Sequence, residues 1–413
     1  MGDYQDMRIF CLQNGGVHAQ KVIDERAKRY HGEWALRFPF EIKEYPAFIV
    51  LNRELQSLIS SINQKNIQLI HLCSSLPKDA VSQFAISSMI EEIQQSNEFE
   101  NVHSTRKEIR EAVDDLFEAN SNKRFLGMVR KYSMLISHRP IKLSNSSDIR
   151  SLYDEFILDE VTREKPNNAP DGTVFRKDPN YVNSGEQVIH EGLYPERKII
   201  EAMDGALAML NDKGIDPLIR VAVFHYAFGY IHPFYDGNGR MSRFISSYVL
   251  SQYGYAESAC LRISYTIKDH RHIYQRIFKN ANEPRSMGDL TCFVIEFLRF
   301  IESSIDDTYS SLREKEQAHH HYKALLHHFV SLHKKTLGKY EALLTVMLRN
   351  ELFGSMVFDI QNLAQISKLS PNTIRKIIDL CGELMICKKE GTKHIYHINK
   401  EYLDHLSQTI ETE

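Results

Sequence analysis

His-Pro-Phe-Tyr-Asp-Gly-Asn-Gly-Arg occupies residues 232–240, and a second arginine follows at position 243. Within twelve residues, this stretch combines an imidazole, a carboxylate, an amide between two glycines and two guanidinium groups. Such groups bind phosphates and a metal ion, and an imidazole can also accept a proton. Neither a helix nor a strand needs this mixture in order to fold, so the stretch predicts a functional site.

Two apolar helices are expected to flank this site. Asp-Pro at residues 216–217 predicts a helix start, and apolar residues then recur at helical spacing until Pro233 ends the helix. A second helix is expected to begin near Gly239, because apolar residues recur after it. The segment 237–239 then forms a tight loop at a helix N-terminus, where glycine backbone and the helix dipole favour a bound phosphate.

The stretch resembles the Fic signature, His-Pro-Phe-x-Asp/Glu-Gly-Asn-Gly-Arg-x-x-Arg, and matches it at every specified position. Fic domains are helical, and most known members transfer AMP from ATP to a hydroxyl side chain of a target protein. The resemblance implies that His232 is the general base that takes the proton from the target Ser, Thr or Tyr. It also implies that Asp236 holds Mg²⁺ between the α- and β-phosphates of ATP.

The resemblance implies phosphate-binding roles for the rest of the signature, namely for Phe234, Gly237, Asn238, Gly239, Arg240 and Arg243. Asn238 and the two neighbouring glycine amides would cradle the α- and β-phosphates, while Arg240 would bind the departing pyrophosphate. Phe234 is expected to point into the core and hold the loop. A plain turn at the glycines and a plain helix cap at Asp236 are the alternatives, but they leave two arginines one helical turn apart unexplained.

A second part of the family pattern lies upstream, on a predicted helix near residues 84–101. Ser96, Glu100 and Asn101 resemble the inhibitory motif Ser/Thr-x-x-x-Glu-Gly/Asn of Fic proteins, in which the glutamate pairs with the second signature arginine, here Arg243. A competing frame that begins at Ser87 fails, because Glu92 stands where Gly or Asn is expected. The alternative is an acidic cluster that faces solvent.

Residues 171–176, Asp-Gly-Thr-Val-Phe-Arg, read as a β-hairpin with a turn at its start. In Fic proteins a hairpin flap at this place aligns the target chain as an added strand. The resemblance therefore implies that Gly172, Thr173 and Phe175 form the target flap, although a loop strand without function is the competing interpretation.

The C-terminal end predicts a separate small domain. A long charged helix over about 293–332 is followed by three helical segments and a strand, turn and strand over 385–398. This order predicts a winged helix-turn-helix. Residues 368–400 contain seven Lys and Arg against three Asp and Glu, so this domain is a candidate for binding DNA, with a dimer contact as the alternative.

The fold class that we predict is mostly α: a Fic-type helical core with a small β-hairpin flap, a helical N-terminal region and a C-terminal winged helix-turn-helix. The expected domains are an N-terminal region over 1–140, the Fic domain over 141–305, a connecting helix over 306–335 and the winged-helix domain over 336–413.

Composition narrows the function classes further. Of the 413 residues, 42% are hydrophobic, which is enough to form buried cores. The formal net charge is −3, so the protein as a whole is not basic. No uninterrupted apolar run approaches the length of a membrane span. The six cysteines form no metal-type pair. We therefore expect a cytoplasmic protein without a membrane partner.

The predicted function is that of a protein adenylyltransferase that uses ATP and Mg²⁺, is inhibited by Glu100, and acts on a protein hydroxyl or on itself. One alternative is removal of AMP, with Glu100 orienting a water molecule. The other is a nucleotide-sensing regulator that binds DNA through the winged helix. A homodimer is compatible with each.

Overall fold

The structure is a computed structural model, and it describes residues 4–118, 121–184, 187–354, 356–391 and 393–410. The chain is mostly helical with small two-stranded sheets, as predicted. It divides into two compact units. The first comprises the residues up to Gln68 together with Met89–Asp306, and the second comprises Leu69–Ser88 together with the residues from Asp307 onward. Among the residues described, no helix has both the length and the apolar composition needed to cross a bilayer.

The N-terminal region is not purely helical, which corrects the prediction. Between α2 (Gln20–His31) and α3 (Arg53–Ser75) lies an antiparallel hairpin of β1 (Ala35–Ile42) and β2 (Tyr45–Val50), and α1 (Met7–Gln13) precedes both. Buried and exposed residues alternate along most of β1. This period of two is the pattern of a half-buried strand.

The predicted inhibitory helix is α4 (Lys78–Phe99). Its end is closed by Asn101, which adopts a left-handed conformation with φ 59°. The N–H of Val102 donates to the carbonyl of Asn97 at 2.9 Å and the N–H of Asn101 donates to that of Glu98 at 3.1 Å, which is a Schellman closure. A residue that tolerates left-handed backbone is therefore required one position after Glu100.

In the described part of the chain, ten further α-helices of the first unit follow α4. They are α5 (Arg106–Asp114), α6 (Leu126–Ile136), α7 (Ser146–Tyr153), α8 (Asp159–Glu164), α9 (Glu196–Leu210), α10 (Pro217–Ile231), α11 (Asn238–Gln252), α12 (Glu257–Cys260), α13 (Ile263–Asp269) and α14 (Arg271–Ala281). A π-helical turn over Asp154–Leu158 joins α7 to α8. The predicted helix pair α10 and α11 is confirmed, and the Asp216 carboxylate caps α10 through the N–H of Leu218.

The flap hairpin lies downstream of its predicted position. Its strands are β3 (Tyr181–Ser184) and β4 (Gln187–Glu191). Residues 171–176 form a loop instead, because the Glu196 carboxylate accepts from the backbone N–H groups of Thr173, Val174 and Phe175. These N–H groups are therefore not available to a strand partner.

The second unit has the predicted order of elements. The long helix α15 (Thr291–Leu332) begins in the first unit, and α16 (Lys334–Leu337), α17 (Glu341–Phe353), α18 (Ile360–Ser367) and α19 (Pro371–Cys381) follow it. The hairpin of β5 (Met385–Glu390) and β6 (Lys393–Ile398) comes next, and α20 (Lys400–Ile410) is last. Ser370 caps α19 through the N–H of Thr373, as its position before Pro371 predicts.

Candidate functional site

The site is built on the loop that joins α10 to α11. Helix α10 ends at Ile231, where His232 adopts a left-handed conformation with φ 52°. Gly237 is also left-handed, with φ 80°, and α11 begins immediately after it. A β-branched or bulky residue would be strained at the second position. The two left-handed residues bound a compact six-residue loop, residues 232–237, at the N-terminus of a helix.

Asn238 closes this loop. Its side-chain oxygen accepts from the N–H of Phe234 at 3.0 Å, and its side-chain nitrogen donates to the carbonyl of Phe234 at 2.8 Å. The Phe234 ring is fully buried, stacks on Tyr153 with ring centres 3.7 Å apart, and meets Phe175 edge-on. The prediction that Phe234 points into the core is thus confirmed. The Asn238 amide holds the loop through both its oxygen and its nitrogen.

His232 lies at the end of α10 with its ring largely enclosed. Its Nδ1 lies 3.3 Å from the carbonyl of Gly229, which assigns the proton to Nδ1 and leaves a lone pair on Nε2. Burial lowers the pKa of His232 to about 3, and the neighbouring His190 and Arg176 act in the same direction. The ring is therefore neutral throughout the physiological range.

Arg240 lies on the first turn of α11 and is 1% exposed. Its Nη2 lies 3.3 Å from Oδ1 of Asp236. Within the part of the chain that the structure describes, its Nε and Nη1 have no hydrogen-bond partner. A buried guanidinium with unused donors is costly, and a bound phosphate would satisfy it with bidentate geometry. Asp236 is 33% exposed and can therefore reach a metal ion.

Arg243, one turn further along α11, is held by the end of α4. Its Nη1 lies 2.9 Å from Oε1 of Glu100, its Nε donates to the Ser96 hydroxyl at 3.1 Å, and its Nη2 donates to the Ser96 carbonyl at 3.0 Å. The guanidinium also lies over the ring of Phe99 at 4.9 Å. Ser96, Glu100 and Arg243 are therefore brought together, although Glu100 lies one residue beyond the helix end.

Glu100 reaches over the first turn of α11 to make this contact. A Cβ atom built on Gly239 would overlap its carboxylate and would come within 2.9 Å of Nη1 of Arg243. The absence of a side chain at Gly239 is therefore what allows the ion pair to form at this position. Glycine is thus needed at the two positions for different reasons: Gly237 by its left-handed backbone and Gly239 by the lack of space for a side chain.

Two groups near the site escaped sequence reasoning. Arg176 binds the carbonyl of His232, and Glu92 is a buried residue of α4. No local pattern marks Arg176. Only the fact that Glu92 continues the apolar face of α4 could have indicated a buried carboxyl group, since it lies three positions after Met89.

The predicted flap residues need correction as well. Phe175 is fully buried against Phe234, so its side chain cannot contact a target. Gly172 and Thr173 belong to the loop whose N–H groups bind Glu196. The physical reason is the acceptor capacity of that carboxylate, which holds the segment in a turn and leaves the hairpin to β3 and β4.

Residues 143–250, which include the α10–α11 loop, match the model of the Fic/DOC family. These residues therefore form a Fic/DOC-family domain. It is 37% identical over 92 residues to "Protein adenylyltransferase Fic" of Aedes aegypti, which covers 22% of this chain and 16% of that protein. It is 29% identical over 171 residues to the protein of the same name from Drosophila mojavensis, covering 41% of this chain and 31% of the other. The chain thus spans less than a third of the length of these relatives.

A solved structure extends the likeness in fold. The crystal structure of a Fic family protein from Desulfovibrio desulfuricans G20 aligns with 88% of this chain and 98% of its own, at a TM-score of 0.51 and 20% identity. This likeness covers the mostly helical fold and not only the matched domain.

Glu92 generates a prediction about pH. Its carboxyl oxygens accept from the N–H of Ser264 at 2.9 and 3.1 Å, and burial raises its pKa to about 7. A pKa raised by folding gives stability that is complete below the unfolded value of about 4.5 and is lost as the pH rises through about 7. We expect Glu92→Gln to remove this loss, a difference on the order of 3 kcal/mol between pH 5 and pH 9.

Denaturant unfolding at several pH values measures this difference. Glu91→Gln is the matched control, because Glu91 is the neighbouring carboxylate and pairs with Arg262 at the surface. It should follow the parent. Parallel stability curves for the parent and Glu92→Gln would contradict the prediction.

Proposed function

We propose that the protein transfers AMP from ATP to a Ser, Thr or Tyr hydroxyl of a target protein, and that the pairing of Glu100 with Arg243 keeps this activity low. The observation that carries the proposal is the meeting, on one loop, of a neutral imidazole at His232 and a buried guanidinium at Arg240 with unused donors. The Fic domain and the names of the curated relatives support it.

His232 would act as the general base. The bond from the target oxygen to the α-phosphorus forms as the bond from that phosphorus to the pyrophosphate oxygen breaks, and the hydroxyl proton passes to Nε2. A neutral ring is the required starting state. The left-handed backbone and the contact of Nδ1 with Gly229 hold that ring in one orientation.

The residues that would hold ATP lie on the loop and the first turn of α11. Arg240 would bind the pyrophosphate oxygens, and the N–H groups of Gly237 and Gly239 at the helix N-terminus would face the α- and β-phosphates. Asp236 would hold Mg²⁺, which neutralises phosphate charge when it is bound. Phe234 and Asn238 would contribute by keeping the loop closed.

Arg243 is the residue that the proposed brake, its pairing with Glu100, would keep away from ATP. While its guanidinium is bound to Ser96 and Glu100, it is not free to bind the γ-phosphate of ATP. ATP would then settle in an unreactive pose. The same Glu100 carboxylate, 31% exposed, would orient a water molecule in the alternative reaction, the removal of AMP.

The first test concerns the base. We expect His232→Ala to lower transfer by roughly 10²- to 10⁴-fold while ATP affinity stays nearly unchanged, because the imidazole would contact the attacking hydroxyl and not the phosphates. Intact-mass spectrometry of a self-modified chain measures the transfer. His138→Ala, a histidine that pairs with Glu257 elsewhere, should behave as the parent. Parent-like labelling by His232→Ala would remove the base from the mechanism.

The second test concerns the brake. We expect Glu100→Gly to raise transfer by about one to three decades, since a desolvated ion pair over a phosphate site is worth several kcal/mol. Glu98→Gly is the matched control, because Glu98 pairs with Lys268 and not with Arg243. Equal or lower transfer by a folded Glu100→Gly variant rejects the brake. A loss of AMP removal in the same variant would favour the alternative reaction.

A second candidate function rests on the C-terminal helices and hairpin. Helices α18 and α19 are joined by a three-residue turn, and the exposed residues of α19 and β5 include Arg375, Lys376, Lys388 and Lys389. A helix-turn-helix with adjacent cations fits the charge of DNA.

Gel-shift titration with duplex DNA at rising salt tests this second candidate. We expect binding that weakens steeply with salt and is lost in an Arg375→Ala, Lys389→Ala double variant. Lys213→Ala, an exposed lysine of the first unit, serves as the control. Equal binding by the parent and the double variant would reject DNA recognition by this surface.

A further inference from the structure

Arg176 is a fully buried arginine, and each of its three guanidinium nitrogens donates to a main-chain carbonyl. Its Nε donates to the carbonyl of His232 at 2.9 Å, its Nη1 to that of Asp178 at 2.6 Å, and its Nη2 to that of Leu193 at 2.8 Å. Burying a guanidinium without a carboxylate is expensive. This free-energy cost indicates that the positions of the three carbonyls are important.

The three carbonyls belong to two different parts of the site. Asp178 precedes β3 and Leu193 follows β4, so the guanidinium holds both ends of the flap hairpin. The third carbonyl belongs to the residue proposed as the general base. Arg176 is thus the junction between the stem of the hairpin and His232.

Further bonds join the same two segments. The N–H of Leu193 donates to the carbonyl of Ile231 at 3.1 Å, and the Asn180 amide donates to the carbonyls of Phe234 and Tyr235 at 2.9 and 3.1 Å. The hairpin stem and the loop after α10 therefore form one hydrogen-bonded unit. Arg176 is the member of this unit that contacts His232 itself.

His232 needs such support because its backbone is left-handed. A non-glycine residue with φ near 50° costs on the order of 1 kcal/mol and persists only where its surroundings impose it. Gly192 leaves the necessary space: a Cβ there would overlap Nη2 of Arg176 and lie 2.9 Å from Cβ of His232.

We infer that Arg176 is a positioning residue that fixes the flap hairpin and His232 as one unit, so that an extended segment of the target protein is presented to the base at a fixed distance. The hairpin is a two-stranded sheet of β3 and β4, so each strand has one edge outside that pairing, and such an edge is where an extended peptide adds as a strand. This inference rests on the proposed function. It assigns a residue that acts through His232 and through the hairpin, without contact to ATP.

Arg176→Lys separates positioning from charge. Lysine keeps the positive charge but cannot bind three carbonyls that lie in different directions, since its donors sit on one nitrogen. Arg220→Lys is the matched control: Arg220 is also buried, lies on the first turn of α10, and donates to the Leu210 carbonyl and to Tyr253.

Transfer and ATP binding are measured in the full chain carrying Glu100→Gly. We expect Arg176→Lys to lower the turnover of transfer by about 10²-fold, because a displacement of roughly 1 Å between base and nucleophile has that effect. ATP affinity should stay within about twofold, since Arg240 and the helix N-terminus are unchanged. Arg220→Lys should leave both quantities at the parent level. Parent-like turnover in Arg176→Lys would overturn the inference.

An NMR titration of the His232 ring gives a readout that does not depend on activity. We expect the midpoint in Arg176→Lys to rise by at least one pH unit, because the ring leaves its enclosed position, and His232→Ala assigns the signal. If the Glu100→Gly chain transfers no AMP and the midpoint of the His232 titration still rises in Arg176→Lys, the proposed function fails while the positioning role of Arg176 stands. An unchanged midpoint overturns the positioning role. Should Arg176→Lys not fold, Gly192→Ala crowds the same guanidinium and must produce the same rise.

Discussion

The site depends on one constraint, the closure of the loop between α10 and α11 by the Asn238 side chain. By bonding both the N–H and the carbonyl of Phe234, this amide fixes the loop from inside. Because the loop begins with His232 and ends at the helix that carries Arg240, one closure sets the distance between the proposed base and the guanidinium proposed to bind phosphate. Stacking of Phe234 on Tyr153 then attaches the closed loop to α7.

The proposed brake would use the end of a helix as well as a carboxylate. Ser96 lies in the last turn of α4, where backbone carbonyls lack helical partners and carry partial negative charge. Arg243 satisfies one of them and also binds the Ser96 hydroxyl. Glu100 therefore supplies only part of the attraction that holds Arg243, so under the proposed function ATP would have to compete with Ser96 even in the absence of Glu100. The arginine and the helix end stabilise each other.

The parts that were predictable from the sequence are those in which local pattern and local structure coincide. The spacing of apolar residues and the Asp216 and Ser370 caps predicted α10, α11 and α19, and the signature predicted which side chains meet at the site. The hairpin was predicted too early in the chain, because Gly172 and the alternating side chains after it have the sequence pattern of a turn and a strand. The deciding contact is made by the Glu196 carboxylate, which lies 21 to 23 residues further along the chain and accepts from three N–H groups of that segment. Arg176 was missed for the same reason, since its role exists only once the chain brings Asp178, Leu193 and His232 together.

Gly239 shows how a short motif can serve two demands at once. Its N–H lies at the N-terminus of α11, where a phosphate is favoured, and its missing side chain leaves the space that Glu100 enters to reach Arg243. Any side chain at this position would disturb the proposed phosphate site and expel the Glu100 carboxylate together. Under the proposed function the two effects would have opposite signs for transfer, because the first would weaken ATP binding and the second would free Arg243. Loss of activity in a Gly239 variant would therefore not measure phosphate binding alone. Gly237 is required by its backbone angle and does not contact Glu100, so a Gly237 variant would report on the loop conformation alone.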